Sequence, residues 1–396
     1  MPIEQRTAWK EVSWIFGLSR LAILVFSYLG VTFLHVHYPQ HLVGYIALKP
    51  CTSHFTCFLL SWWRWDTIHY VEIAYLGYAH HKPLSAFFPL FPLLIRGLGM
   101  LLGGSIMADY AAGMILANVC FYGVLILFYQ LVSIDYGHTV ARYALIYLAF
   151  NPYGIFFFIG YTESLFLLLT LAVFFFLRRG RALDWWLVGL CGCLAALTRP
   201  TGIILLVPFL VFFVQGFGIR MILTRKNWRQ KLNAMLAMAL VPAGLLIYMG
   251  YLRITFGDPL VFRLEEVAIW QRYTAFPWVG TFDAIEAIKS GRVFYKRDIT
   301  DLAFTFVPLA VLIGGWKRLP LDYSLFSVAM ALFVLCQPCR FEALMSVPRY
   351  LLVAFPIILI FAFWRKNNYI TWQLVIPSIL LFIANIIQFT TYNWVA

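Results

Sequence analysis

An all-α polytopic membrane protein is the fold class this chain predicts, and three observations predict it. Of its 396 residues, 62% are hydrophobic and only 12% are charged, with a mean hydropathy of +0.82. Soluble domains carry roughly 25% charged residues, so composition alone excludes a soluble globule. The apolar residues fall into segments of about 16 to 25, the length a helix needs to cross a hydrocarbon core about 30 Å thick. Finally, the basic residues collect in short turns between these segments, as they do in cytoplasmic loops.

Each element follows in order. The segment Val12 to Leu34 is preceded by charged residues, is too long for a signal core and lacks a small-residue cleavage site, so it is expected to be a retained first span with a cytoplasmic N terminus. A long outer loop, 35–104, comes next. Within it the apolar piece Leu84 to Leu102 carries Phe87-Phe-Pro-Leu-Phe-Pro92 and is expected to lie along the outer interface. If it crossed, Arg178, Arg179 and Arg181 would face outward, against the positive-inside bias. Further spans are expected near 107–131, 141–158, 164–177, 184–197, 202–214, 234–254, 302–315, 323–336, 350–364 and 370–389, about 11 in all. The basic turns that orient them are Arg178 to Arg181, Arg220 to Lys231, Lys317-Arg318 and Arg365-Lys366. A second outer loop, 256–301, opens with an amphipathic stretch through Trp270 that places Arg263, Glu265, Glu266 and Arg272 on one polar side. The whole chain reads as one integral membrane domain, 1–396.

The net charge of +13 is therefore mainly a topology signal. What remains informative is the non-cytoplasmic face. There this reading gathers the first loop, the turn Gly160-Tyr-Thr-Glu-Ser164, the turn Thr198-Arg-Pro-Thr-Gly202, the stretch Gln337 to Arg349, and most of the acidic residues. Carboxylates and arginines at membrane depth are costly, so their convergence predicts a polar cavity opening outward.

The motifs on that face are similar to a known family. Trp65-Asp66 followed by His69-Tyr70, Ile73-Ala74 and Gly77-Tyr78, then Phe87-Phe-Pro-Leu-Phe-Pro92, Tyr161-Thr-Glu-Ser-Leu-Phe166, Ala195-Ala-Leu-Thr-Arg-Pro-Thr-Gly202, Gly257-Asp-Pro-Leu260 and Pro348-Arg-Tyr-Leu351, in that order, resemble the PIG-V mannosyltransferases. The resemblance implies a GT-C glycosyltransferase fold, with a first span, a long outer loop holding juxtamembrane helices and a catalytic acid, and then many spans. It implies transfer of mannose, a hexose, from a polyprenyl-phosphate donor to a glycolipid or glycan acceptor, with inversion by direct displacement. Compact loops and short termini resemble a prokaryotic member, which would work in the cell membrane; a eukaryotic member would work in the endoplasmic reticulum. Either way the site is expected on the non-cytoplasmic face.

Such chemistry needs a base for the acceptor hydroxyl and cations for the departing phosphate. Asp66, among Trp62, Trp63 and Trp65, is the expected base; the alternative is a carboxylate that caps a helix starting at Thr67. His69 stands one turn later and would orient the acid or touch phosphate. Arg199 and Arg349, each beside a proline at the outer end of a span, suit phosphate oxygens; the alternative is snorkelling to headgroups. Lys82 and Arg340 rank below them. Glu163 would bind the acceptor hydroxyl or pair with Arg199, and Tyr161 and Trp65 are expected at the substrate by their places in the motifs.

Seven of the eight histidines lie between His35 and His81. Their spacings match no familiar ligand pattern, and a lipid-phosphate donor has no nucleotide diphosphate to hold, so no metal or other cofactor is expected. Cys51 and Cys57, and Cys336 and Cys339, are placed where two disulfides could close in an oxidising compartment, while Cys120, Cys191 and Cys193 are expected to pack. No nucleic-acid module is present, and protein partners leave no mark. The rival classes are a multi-span transporter or lipid flippase, and a GT-C enzyme using another sugar carrier. Against the first stand the absence of a visible internal repeat and the gathering of polar groups at one face.

Overall fold

The computed structural model describes residues 3–34, 36, 53–79, 81–181, 183–218, 227–292, 295–363 and 368–395. His35, His37, His41, His80, Cys51 and the basic residues Arg220, Arg225, Lys226, Arg365 and Lys366 lie outside the described residues. Helices dominate, and among the described residues the nearest thing to a strand is one antiparallel bridge between Arg272 and Cys339. Among the described residues, six helices are long and apolar enough to cross a membrane: Trp9–Phe33, Ile106–Tyr136, Pro200–Phe217, Trp228–Phe256, Lys296–Arg318 and Trp372–Thr390. Other expected spans appear as shorter helices, including Asp184–Thr198 and Leu321–Leu335. Apolar side chains such as Ile313, Ile254 and Val119 stand well exposed on these helices, as a lipid-facing surface requires. This is an integral membrane protein.

Two expected spans are broken rather than continuous. The segment expected over 141–158 is a helix only over His138–Ala149, followed by a 3-10 turn at Gly154–Phe157. Pro152 disfavours helical backbone at Asn151, whose Oδ1 instead accepts the Tyr153 amide at 3.0 Å. The segment expected from Tyr350 to Trp364 begins earlier, as the short helix Val347–Leu351, and resumes as Phe355–Phe363. The piece between Leu84 and Leu102 forms a 3-10 turn, Lys82–Ala86, and the helix Leu90–Leu101. Twelve residues at 1.5 Å each reach about 18 Å, short of a bilayer core.

The chain divides into two compact units: Met1–His80, Leu90–Leu168 and Phe361–Val395 form the first, and His81–Pro89 with Leu169–Ile360 the second. In the first unit, Arg20 of the helix Ile3–Phe33 is buried and donates to Asn118 Oδ1 at 3.1 Å and the Phe157 carbonyl at 3.2 Å, with its guanidinium 4.6 Å from the Phe121 ring. In the second, Asp184–Thr198 packs along Trp228–Phe256 through glycines. A Cβ at Gly189 would strike the Ala237 carbonyl, and one at Gly244 the Cys193 carbonyl, so close approach excludes side chains there.

Cysteine pairing departs in part from expectation. Cys57 is disulfide-bonded. Cys336 and Cys339 are free thiols, because Cys336 caps the helix Leu321–Leu335 while Cys339 points away to donate to the Trp270 carbonyl at 3.0 Å.

Candidate active site

Asp66 opens the helix Asp66–Leu76. The first amides of any helix lack partners within it. Trp65, in the capping position, supplies no side-chain bond, so the Asp66 amide donates instead to the Tyr161 hydroxyl at 3.2 Å. Asp66 is thus the first residue of the helix, held from outside by a neighbour, and not the cap of a helix that starts at Thr67. Trp65 has φ +51°, a strained value for an aromatic residue.

Aromatic packing holds that turn in place. Trp65 lies edge-on to Trp394 at 4.8 Å, Trp62 edge-on to Phe158 at 4.9 Å, and Trp63 edge-on to Tyr110 at 5.3 Å. Arg64, 3% exposed, donates to the Phe389 carbonyl at 3.0 Å, sharing it with the Tyr392 amide at 3.2 Å, and lies 4.2 Å from the Tyr392 ring centre. Burial pushes the Tyr392 phenol above its ordinary range, so that ring stays neutral beneath the guanidinium.

One turn after Asp66, His69 Nδ1 sits 3.5 Å from Glu72 Oε2. Tyr70 reaches Thr162 Oγ1 at 3.4 Å, and a Cβ at Gly160 would press on Thr67 at 3.2 Å. The Asp66 helix therefore lies against the Gly160-Tyr-Thr-Glu-Ser164 turn, and glycine at 160 permits the approach. Glu163 opens the next helix, Glu163–Arg179, fully buried at a terminus whose backbone dipole favours an anion. Asp66, His69, Tyr161, Trp65 and Glu163 thus belong to one unit.

Lys82, Arg199 and Arg349 belong to the other. Lys82 is exposed at the start of its 3-10 turn. That turn is anchored by the Tyr248 hydroxyl, which donates to the Ser85 carbonyl at 2.7 Å, and by Phe88 against Tyr248 at 4.7 Å. Arg199 ends the helix Asp184–Thr198 and precedes the 3-10 turn Pro200–Leu205. A Cβ at Gly202 would collide with the backbone of Ala195 and Ala196, so the turn must carry glycine there.

Arg199 and Arg349 converge on a single ring, Tyr350, at 5.7 and 5.2 Å, and a third guanidinium, Arg272, joins them at 5.6 Å. All three are at most 8% exposed. Arg272 corrects the expectation that it rides the polar side of an outer helix. The helix stops at Ile269, Gln271 turns the chain at φ +51°, and Arg272 points inward to donate to the Gln337 carbonyl at 3.2 Å and the Met345 carbonyl at 3.0 Å. Its Nε lies 3.6 Å from Glu266. Three guanidiniums around one ring, one of them beside Glu266, make a strongly basic locus whose forks suit an anion. Arg272 and Arg64 are the members that sequence reasoning missed. Arg64 carries a local signal, adjacency to Trp65-Asp66; Arg272 carries none.

A membrane protein of this helical plan has the GT-C glycosyltransferase fold. The crystal structure of ArnT from Cupriavidus metallidurans bound to undecaprenyl phosphate matches 96% of this chain and 76% of its own, with a TM-score of 0.51 at 12% identity. That of the Archaeoglobus fulgidus oligosaccharyltransferase tethered with an acceptor peptide matches 94% and 55%, with a TM-score of 0.50 at 12% identity. At this identity the likeness is one of fold. The chain belongs to the PIG-V mannosyltransferase family, whose model, described as mannosyltransferase (PIG-V), matches residues 50–272, more than half of its length. GPI mannosyltransferase 2 of Cryptococcus neoformans is 29% identical over 221 residues, covering 52% of this chain and 50% of that protein. The enzyme of the same description from Schizosaccharomyces pombe is 33% identical over 118 residues, covering 28% and 24%. The chain spans about half the length of the Cryptococcus relative and less of the other.

Proposed function

We propose that this protein transfers mannose from polyprenyl-phosphate mannose to a hydroxyl of a glycolipid or glycan acceptor on the non-cytoplasmic face of its membrane, inverting the anomeric carbon. The observation that carries the lipid-phosphate donor is the convergence of Arg199, Arg272 and Arg349 on Tyr350. Buried guanidiniums present several N–H donors to phosphate oxygens and neutralise a departing phosphate. Family membership supports mannose as the sugar.

In this reading Asp66 takes the acceptor proton. Tyr161 fixes the backbone from which its carboxylate projects, while His69, set by Glu72, orients the acid or the phosphate. Glu163 holds the acceptor hydroxyl. Lys82 contributes positive charge to the donor phosphate, and Trp65 supports the base from the preceding residue. A single base suffices for direct displacement, whereas double displacement would use a second, nucleophilic carboxylate. With arginines to neutralise a monophosphate, no metal is required, and transfer survives chelation.

The test is transfer of radiolabelled mannose from polyprenyl-phosphate mannose to lipid acceptors, in membranes holding wild type or Asp66→Asn, with and without EDTA. Product from wild type in both conditions, and none from a monodisperse Asp66→Asn, is the expected result. Equal product from both proteins would move the base to another residue, Glu163 first. Movement of lipid across vesicles without a new glycosidic bond would instead favour a flippase.

A further inference from the structure

Two strained backbone positions of the first unit pack on each other. Among the described residues five that are not glycine have positive φ, and two of these, Trp65 at +51° and Tyr392 at +69°, lie with ring centres 5.5 Å apart. Trp65 also has ψ −128°, a combination that glycine adopts freely and a residue with a Cβ resists. Strained non-glycine residues persist only where surrounding contacts hold them, and they collect at functional sites. Trp65 immediately precedes Asp66.

The contacts that hold it come from residues 391–395, just past the helix Asn368–Thr390. The Asn393 amide donates to the Gln388 carbonyl at 2.9 Å, and Gln388 Nε2 donates to the Trp394 carbonyl at 2.8 Å, so this segment is folded back on the end of its own helix. The turn presents the Tyr392 ring to Arg64 and Trp65 together and sets Trp394 edge-on to Trp65 at 4.8 Å. Arg64 completes the arrangement, because it and the Tyr392 amide bond the same Phe389 carbonyl. Each turn therefore holds the other. The indole N–H groups of Trp65 and Trp394 are both buried, with no hydrogen-bond partner among the described residues. Two strained backbones and two bare donors are a poor way to gain stability, since each of the four is a cost. They are a good way to aim the side chain that follows.

We propose that residues 391–395 are a positioning clasp for the base, in which Tyr392 and Trp394 hold Trp65 in its strained conformation and thereby fix the direction in which Asp66 projects. Tyr161 takes the Asp66 amide, and the clasp fixes the residue before it. The catalytic half of this inference rests on the reading of Asp66 as the base, whereas the clasp as a set of contacts does not. Tyr392 and Trp394 touch no reacting atom and act only through Trp65.

The test compares Tyr392→Ala, Trp394→Ala and Trp394→Phe with wild type, as the full chain in nanodiscs, by hydrogen exchange and by mannose transfer from polyprenyl-phosphate mannose. The two alanine variants are expected to speed amide exchange over residues 62–76 and to leave the helix Ile106–Tyr136 of the same unit unchanged, which a general loss of folding would not. They should lower kcat about 10- to 100-fold with donor KM unchanged, the scale of a reacting group displaced by about 1 Å. Trp394→Phe keeps a ring against Trp65 and should stay within about threefold of wild type. In an Asp66→Asn background the alanine variants should cost no further rate, because no base is left to aim. Unchanged exchange over 62–76, faster exchange with wild-type kcat, or a full additional loss in the Asp66→Asn background would each overturn the proposal. Full transfer by Asp66→Asn alone sinks the base assignment instead, and the exchange data still decide whether residues 391–395 hold the turn.

Discussion

The Asp66 turn and the Tyr350 arginines hold charged groups in opposite ways. Asp66 is half-buried on the first turn of a short helix, and what fixes it is backbone: a strained Trp65, an amide taken by Tyr161, and three tryptophans wedged against neighbouring rings. The arginines are buried side chains from positions 199, 272 and 349 that share the Tyr350 ring, and Arg272 is fixed as well by two backbone carbonyls. The first arrangement sits in one contiguous motif and presents one replaceable atom group. The second is assembled from three distant segments, so its charge is spread and no one residue carries it alone.

That contrast predicts a graded response. The largest effect is expected at Asp66→Asn, which keeps shape and removes the base. Transfer should fall about 10³-fold, within the range general-base catalysis supplies, and radiolabelled mannose incorporation reads it; a residue of more than a tenth of wild-type rate would break the assignment. Next, Arg272→Ala and Arg199→Lys should each lower kcat/KM for the lipid donor by about 10- to 100-fold. Lysine retains the charge but not the fork, so an Arg199→Lys as active as wild type would reduce the cluster to a simple point-charge effect. Smaller again, Tyr161→Phe deletes the hydroxyl that receives the Asp66 amide. One neutral hydrogen bond is worth about 1 kcal/mol, so kcat should drop roughly fivefold with donor KM unchanged. A change confined to KM would mean that Tyr161 touches substrate rather than positioning the base.

The smallest effect concerns stability. Glu342, 2% exposed and 3.4 Å from Arg297, has its carboxyl held above the ordinary range by burial. A raised folded pKa means that the native state favours the protonated form. Its contribution is fully present below the ordinary glutamate range and is lost as pH rises through the raised value. Glu342→Gln should therefore flatten the alkaline side of a melting-temperature profile in detergent, by a few degrees at most. An unchanged slope would assign that pH dependence elsewhere.

Much of this was legible in the chain because membranes simplify the code. Hydrophobic length and basic turns located the helical segments, since lipid allows few alternatives to a helix. Breaks at Asn151-Pro152 and near Ala354 were not read, because both lie inside apolar runs where hydropathy stays high while local backbone chemistry ends the helix. Cys336 and Cys339, three positions apart in the chain, stay free because one caps a helix and the other faces the Trp270 carbonyl.

The sequence by itself determined that this is a helical membrane protein, and its ordered motifs singled out Asp66, Tyr161, Glu163, Arg199 and Arg349. Those conclusions depend on composition and on contiguous residues, which a linear reading captures. Only the tertiary structure decided that Tyr161 holds the Asp66 amide and that Arg272 turns inward to complete a three-guanidinium cluster. Each of these depends on where segments dozens of residues apart come to rest. Hydrogen bonds and charges act over a few ångströms of space, whatever the distance along the chain.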